Sequence, residues 1–105
     1  MKKNLSLVLL LIQAVCLSAL AQRPRVAAVT GVVVDRQGRP TPGLAVFLVS
    51  QGRSAPRTTD RYGKFLFTDV PAGQQYFVEV YWGRDLMYRK PIVVQADTNL
   101  GVLRL

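Results

Sequence analysis

The stretch Thr58–Gly73, TTDRYGKFLFTDVPAG, decides the fold of this chain. Asp60 and Gly63 stand where a tight turn needs them, because an aspartate side chain accepts backbone N–H groups and glycine tolerates positive φ. Phe65 and Phe67 then alternate with other residues, as in a strand with one buried face. A proline and a glycine end the stretch with a second turn signal. The segment therefore predicts a turn, a strand and another turn.

The rest of the chain repeats this pattern of short strands between turns. The predicted strands are Val26–Asp35, Leu44–Ser50, Arg57–Asp60, Lys64–Val70, Gln75–Trp82, Leu86–Gln95 with a break at Pro91, and Leu100–Leu105. No segment after Gln22 has helical periodicity. Seven short strands with regularly spaced turns predict an all-β fold, a seven-stranded antiparallel Greek-key β-sandwich.

Alternation within the strands predicts which side chains face the core. The inward set is Leu44, Val46, Leu48, Phe65, Phe67, Tyr76, Val78, Val80, Leu103 and Leu105. The outward set is Val32, Val34, Val49, Phe47, Leu66, Phe77 and Tyr81. The outward set is more apolar than a solvated sheet face usually is. It predicts either one exposed apolar patch or side chains that other segments cover.

The N-terminal segment predicts export. Two lysines precede an apolar run from Leu5 to Leu20, and the small residues of Ala19-Leu20-Ala21 suit signal peptidase. We expect a signal peptide over 1–21, a short linker over 22–26 and one domain over 27–105. An uncleaved membrane anchor is the alternative, although the apolar run is short for a span.

The residue counts exclude several kinds of site chemistry. The chain has no histidine, and its single cysteine, Cys16, lies in the predicted signal peptide. The domain therefore has no Ser-His-Asp site, no thiol chemistry and no disulfide. Lipidation of Cys16 stays open, although Val15 is larger than the residue that a lipoprotein signal favours at that position. We expect no cofactor and no bound metal.

Asp60 and Asp69 are the acids that a catalytic or calcium-binding loop in this region would use. A glycosidase needs two carboxylates that face each other across the bond, and calcium needs several oxygen ligands at close spacing. The sequence around Asp60 has one acid followed by an arginine, which is typical of a turn. We therefore expect a turn at Asp60 and no enzyme activity.

The chain is basic, with a formal net charge of +8. Such a charge favours anionic surfaces such as lipopolysaccharide, acidic glycans or nucleic acid. However, the arginines are scattered along the chain, most of them at predicted turns, with no basic run and no nucleic-acid-binding motif. We expect no nucleic-acid partner, and solvated loop charge is the simpler interpretation.

The order of the motifs resembles the carboxypeptidase regulatory-like domain. The matching segments are Gly31–Asp35, Gly38–Pro40, Pro42–Leu48, Thr59–Phe67, Val70–Gly73, Tyr76–Val80 and Leu100–Leu105. The resemblance implies a transthyretin-like (prealbumin-like) sandwich of the carbohydrate-binding-like fold superfamily, with no catalytic residue. It also implies a place among secreted and outer-membrane proteins of Gram-negative bacteria, where such modules usually accompany a larger domain.

Together these observations predict a non-catalytic, exported module for protein interaction or structural support in the bacterial cell envelope. We expect it in the periplasm, on the outer surface or secreted, with an envelope protein partner or self-association and no membrane span after signal cleavage. The candidate surface residues are Phe47, Leu66, Phe77, Tyr81, Trp82 and Tyr88. The alternative is a carbohydrate-binding module in which exposed Tyr81 and Trp82 stack on a glycan, unless Trp82 packs at one end of the sandwich.

Overall fold

Seven strands cover most of residues 25–105, the part of the chain that the computed structural model describes. They are β1 (Val26–Val34), β2 (Ala45–Val49), β3 (Arg57–Thr58), β4 (Lys64–Pro71), β5 (Gln74–Trp82), β6 (Asp85–Val94) and β7 (Thr98–Arg104). Each predicted strand is present, and the described residues contain no helix. The predicted signal peptide lies outside the described residues. β1 begins at Val26, the last residue of the predicted linker.

The strands form two sheets. The three-stranded sheet has the order β4-β1-β7, and the four-stranded sheet has the order β3-β2-β5-β6. β1 and β7 are parallel, so the prediction of a purely antiparallel sandwich is wrong for this pair. Alternation shows which face of a strand is buried, but it carries no information on the direction of the neighbouring strand. The Greek-key connectivity stays a prediction.

The inner faces of the two sheets share one apolar core. Every residue of the predicted inward set is buried except Leu105, which is half-buried. Val34 was predicted to face outward and is buried instead. The reason is local, because Pro40 bridges to Val34 and the Leu105 amide donates to its carbonyl. The last residue of β1 is thus covered from two sides.

Pro91 does not break β6, which runs without interruption over ten residues. β6 is the edge strand of the four-stranded sheet. An edge strand tolerates proline because one side of its backbone has no neighbouring strand to which an N–H must donate.

Two turns with the same sequence pattern lie at the C-terminal end of β1. They are DRQGR at 35–39 and DRYGK at 60–64. In each, Oδ1 of the aspartate accepts the amides two and four residues later, at 2.9 Å. In each, the glycine has positive φ. The turn role predicted for Asp60 is confirmed, and Asp35 has the same role.

Candidate interaction surface

The structure divides the six predicted surface residues among several places. Phe47 lies on β2, and Phe77 and Tyr81 lie on β5, all on the outer face of the four-stranded sheet. Leu66 lies on β4 of the three-stranded sheet, where it pairs with a residue of β1. Tyr88 packs against the core. The outward apolar residues therefore do not form one patch, because the outer faces of a sandwich point in opposite directions.

Three neighbouring strands bring aromatic and charged side chains together on the outer face of the four-stranded sheet. We call this set the arginine–aromatic face; it consists of Phe47, Arg53, Phe77, Glu79, Tyr81 and Arg89. The register places Phe47 opposite Glu79 and Glu79 opposite Arg89. Arg53 reaches the same surface from the turn after β2, where it bridges back to Val49. Cross-strand neighbours of this kind lie close enough for direct contact.

Glu79 is the electrostatic centre of this face. It is only 8% exposed although it points away from the core. The hydroxyl of Tyr81 donates to its Oε1 at 2.8 Å. Arg89 Nε lies 3.3 Å from Oε2, and an Arg53 guanidinium nitrogen lies 3.8 Å from Oε1. The carboxylate is thus held from three sides, as a charge with little access to water requires.

The two arginines cover the aromatic rings. The guanidinium carbon of Arg53 lies 4.1 Å from the ring centre of Phe47 and 5.0 Å from that of Tyr81. The guanidinium carbon of Arg89 lies 4.2 Å from the ring centre of Phe77. These are cation–π distances. Of the two alternatives left open by the sequence, an exposed apolar patch or covered side chains, the second holds for these three rings, with arginine side chains as the cover.

The arginine side chains stay accessible while they cover the rings. Each of the two is 52% exposed. A groove of about 300 Å³ adjoins Arg53 and Tyr81, and Arg84 also lines it. Three guanidinium groups therefore lie on or beside this face, against the single carboxylate of Glu79. The surface is net positive, with flat apolar groups beneath the charges.

Sequence reasoning found the aromatic residues of this face but missed its charged members. Glu79 stands between two buried valines in β5, which marks its position as outward. Nothing in the sequence shows that Arg53 and Arg89 converge on it, because that depends on the register of β2 and β6 against β5. The sequence of a single strand does not show which residue of the neighbouring strand lies opposite each of its positions.

Trp82 and Tyr81 do not form one shared platform for a sugar ring. Tyr81 lies on the outer face and contacts Phe47 edge-on, with ring centres 5.6 Å apart. Trp82 is the next residue of the same strand and so points to the opposite face. It is 58% exposed, so it does not pack at the end of the sandwich either.

The carboxylates of the opening stretch are not brought together. Asp60 belongs to the turn before β4, and Asp69 lies near the other end of that strand. The five steps along the strand from Lys64 to Asp69 span about 16 Å at roughly 3.3 Å per residue. That exceeds the carboxylate separation of either glycosidase geometry, roughly 5–9.5 Å. Within residues 25–105, no three His, Cys, Asp or Glu side chains are close enough to hold a metal ion.

No helix suited in length and apolar character to cross a bilayer is found in the described part of the chain.

The two packed sheets define a β-sandwich module. A family profile for the Carboxypeptidase regulatory-like domain matches residues 28–103. The chain belongs to this family, which is a regulatory, non-catalytic module with a transthyretin-like, carbohydrate-binding-like fold. The resemblance read from the motifs is thereby confirmed.

One solved structure with the same fold is "The Bacillus anthracis TIE protein", with a TM-score of 0.60 and 20% sequence identity. The match covers 76% of this chain and 16% of that one. This likeness concerns the fold alone. No curated protein matches the chain.

Proposed function

We propose that the protein is a non-catalytic, exported module that binds an acidic envelope protein through the arginine–aromatic face. The observation that carries this proposal is the pair of half-exposed arginines that lie over aromatic rings around Glu79. Arginine and aromatic side chains are the groups that most often dominate binding energy at protein interfaces. Membership of a regulatory, non-catalytic family supports the same conclusion.

The geometry of the face reduces the cost of binding. A free arginine side chain loses rotamer freedom when a partner fixes it. Arg53 and Arg89 are already positioned by ring stacking and by Glu79. They therefore present their remaining N–H donors in a fixed arrangement, which suits the carboxylates of an acidic partner.

Export remains part of the proposal and rests on the sequence of the first residues. The basic start, the apolar run and the Ala-x-Ala site favour signal-peptide cleavage. We place the protein in the periplasm or on the outer surface of a Gram-negative bacterium. Sequencing the N-terminus of the accumulated protein tests this point, and a start at Gln22 is the expected result.

Photo-crosslinking in the native cells tests the binding face. A photoreactive residue replaces Val93, which is exposed on the edge strand of the four-stranded sheet. The matched control replaces Val102, an equally exposed valine on the edge strand of the other sheet. We expect a discrete crosslinked partner from position 93 and none from position 102. Equal crosslinking from both positions, or none from either, would contradict the proposal.

A carbohydrate-binding role is the second candidate, and the exposure of Trp82 is the observation that favours it. One exposed indole suffices to stack on a sugar ring, but Tyr81 does not join it. Trp82 is the only tryptophan in the chain, so its fluorescence reports directly on such binding. Titration with oligosaccharides of envelope glycans should shift its emission if this role is correct, and Trp82→Ala should abolish binding.

A further inference from the structure

The hairpin between β5 and β6 extends beyond the sheet that carries it. The last pairing between β2 and β5 joins Ala45 to Tyr81. Trp82 and Asp85 lie beyond that pairing and, within the described residues, pair only with each other, while Leu86 pairs with Tyr81. Gly83, with φ of 60°, allows the sharp reversal. The result is a two-stranded tip at one end of the molecule.

This tip concentrates large exposed apolar side chains. Trp82 is 58% exposed, Leu86 is 49% exposed and Met87 is 46% exposed. Leu86 pairs with Tyr81 and shares its face, whereas Trp82 lies on the opposite face of the ribbon. Met87 is the extra residue of the bulge beside them. Apolar side chains thus emerge from both faces of the same ribbon.

Exposure on both faces distinguishes a bilayer surface from a protein partner. A folded partner with one flat surface covers only one face of a ribbon, whereas the interfacial layer of a bilayer surrounds a tip that enters it. Tryptophan is a preferred residue at that layer, because its ring is apolar and its N–H is polar. Leucine and methionine supply the apolar area that such binding needs.

The charges next to the tip match an anionic bilayer. Arg84 lies in the turn itself, and Arg89 and Lys90 follow on β6. Asp85 is the single acid in this segment. Basic residues beside an inserted apolar group strengthen binding to anionic headgroups.

We propose that the β5–β6 hairpin tip docks the protein on the surface of an anionic phospholipid bilayer, with Trp82, Leu86 and Met87 entering the interfacial layer. The tip adjoins the arginine–aromatic face, because Arg84 lines the same groove as Arg53 and Tyr81.

Vesicle binding with matched variants tests this proposal. The protein, purified as it accumulates in its host, is mixed with vesicles of phosphatidylglycerol and phosphatidylcholine in equal parts, or of phosphatidylcholine alone. The tip variant is Leu86→Gln with Met87→Gln, which keeps Trp82 as the reporter. The control variant is Leu66→Gln with Val102→Gln, which removes two exposed apolar side chains from the three-stranded sheet. All variants carry the same N-terminal segment, so differences between them report on the hairpin.

We expect co-sedimentation with the mixed vesicles, a blue shift of Trp82 emission and weaker binding at high salt. The tip variant should lose roughly tenfold or more in partitioning, and the control variant should bind like the natural protein. Binding without a Trp82 shift, or equal losses in the two variants, would overturn the proposal. Equal binding to vesicles of phosphatidylcholine alone would contradict the proposed preference for an anionic bilayer. A Trp82 shift with soluble oligosaccharides and none with vesicles would contradict the proposal and favour the glycan role.

Discussion

Gly63 lies against the carbonyl oxygen of Val33 so closely that a β-carbon at residue 63 would fall well inside van der Waals contact with it. The same two residues are joined by a hydrogen bond of 2.8 Å from the Val33 amide to the Gly63 carbonyl. The turn of the opening stretch is thus attached directly to the central strand of the three-stranded sheet. A glycine is required there for two reasons, because its φ of 74° also disfavours any other residue.

Gly63→Ala should therefore destabilise the fold by about 2–4 kcal/mol. Urea unfolding followed by fluorescence measures the change. Gly52→Ala is the matched control, because nothing lies within 4 Å of a β-carbon placed at residue 52. We expect that variant to stay within about 0.5 kcal/mol of the natural protein. Equal effects of the two substitutions would show that the contact with Val33 does not matter.

Thr59 is joined to the loop before β2 through one buried hydroxyl. Its Oγ1 accepts the Leu44 amide at 2.9 Å and donates to the Thr41 carbonyl at 2.8 Å. Thr59→Val keeps the shape but leaves both backbone groups without this partner, at a cost of about 1–3 kcal/mol in the free energy of unfolding. Thr59→Ser keeps the hydroxyl and should cost clearly less. Equal destabilisation by the serine and valine variants in denaturant melts would contradict this role of the hydroxyl.

Ionisation of Asp35 makes the free energy of unfolding depend on pH in the acid range. The Arg39 amide, followed by the Arg39 side chain and the Gln37 amide, holds the pKa of the Asp35 carboxyl below its usual value. Because the folded-state pKa is below the unfolded value of about 3.9, the ionised group stabilises the fold above that pH. This contribution disappears as the pH falls through the folded-state pKa. Asp35→Asn should be less stable than the natural protein near neutral pH, and the difference should narrow in acid. A difference that does not change with pH would exclude this role.

Glu79 should stabilise the arginine–aromatic face. Glu79→Gln removes the charge that faces Arg53 and Arg89, and we expect a loss of about 1 kcal/mol, since both arginines are half in solvent. Asp85→Asn is the control. It also neutralises a carboxylate on the β5–β6 pair, but Asp85 forms no ion pair within the described residues. Thermal melts at low and high salt measure both variants. A larger loss for Asp85→Asn than for Glu79→Gln would contradict this view of Glu79.

Much of the fold follows from local sequence signals. The aspartate–glycine turns and the alternation of Phe65 and Phe67 predict their own structure, because each depends on neighbours within a few residues. The parallel pairing of β1 with β7 did not follow, since strand direction leaves no trace in the side-chain pattern. The outward position predicted for Val34 is wrong for a related reason. The residues that cover it come from a turn and from the chain end.

The candidate site was predictable only in part. Phe47, Phe77 and Tyr81 were placed on the correct face because outward positions follow from alternation. Leu66 was grouped with them because sequence does not show which sheet a strand joins. The contact between Arg53 and Glu79 was not predictable, because the two residues are far apart in sequence. They come together through the register of β2 against β5.

Photo-crosslinking from position 93 in arginine variants tests the role of this face most directly. Arg53→Gln with Arg89→Gln removes both guanidinium groups from the face. Arg36→Gln with Arg61→Gln removes the same charge from two exposed turns and serves as the matched control. We expect the crosslinked partner to disappear in the first double variant and to persist in the second. Persistence in both, or loss in both, would contradict a binding role for the arginine–aromatic face.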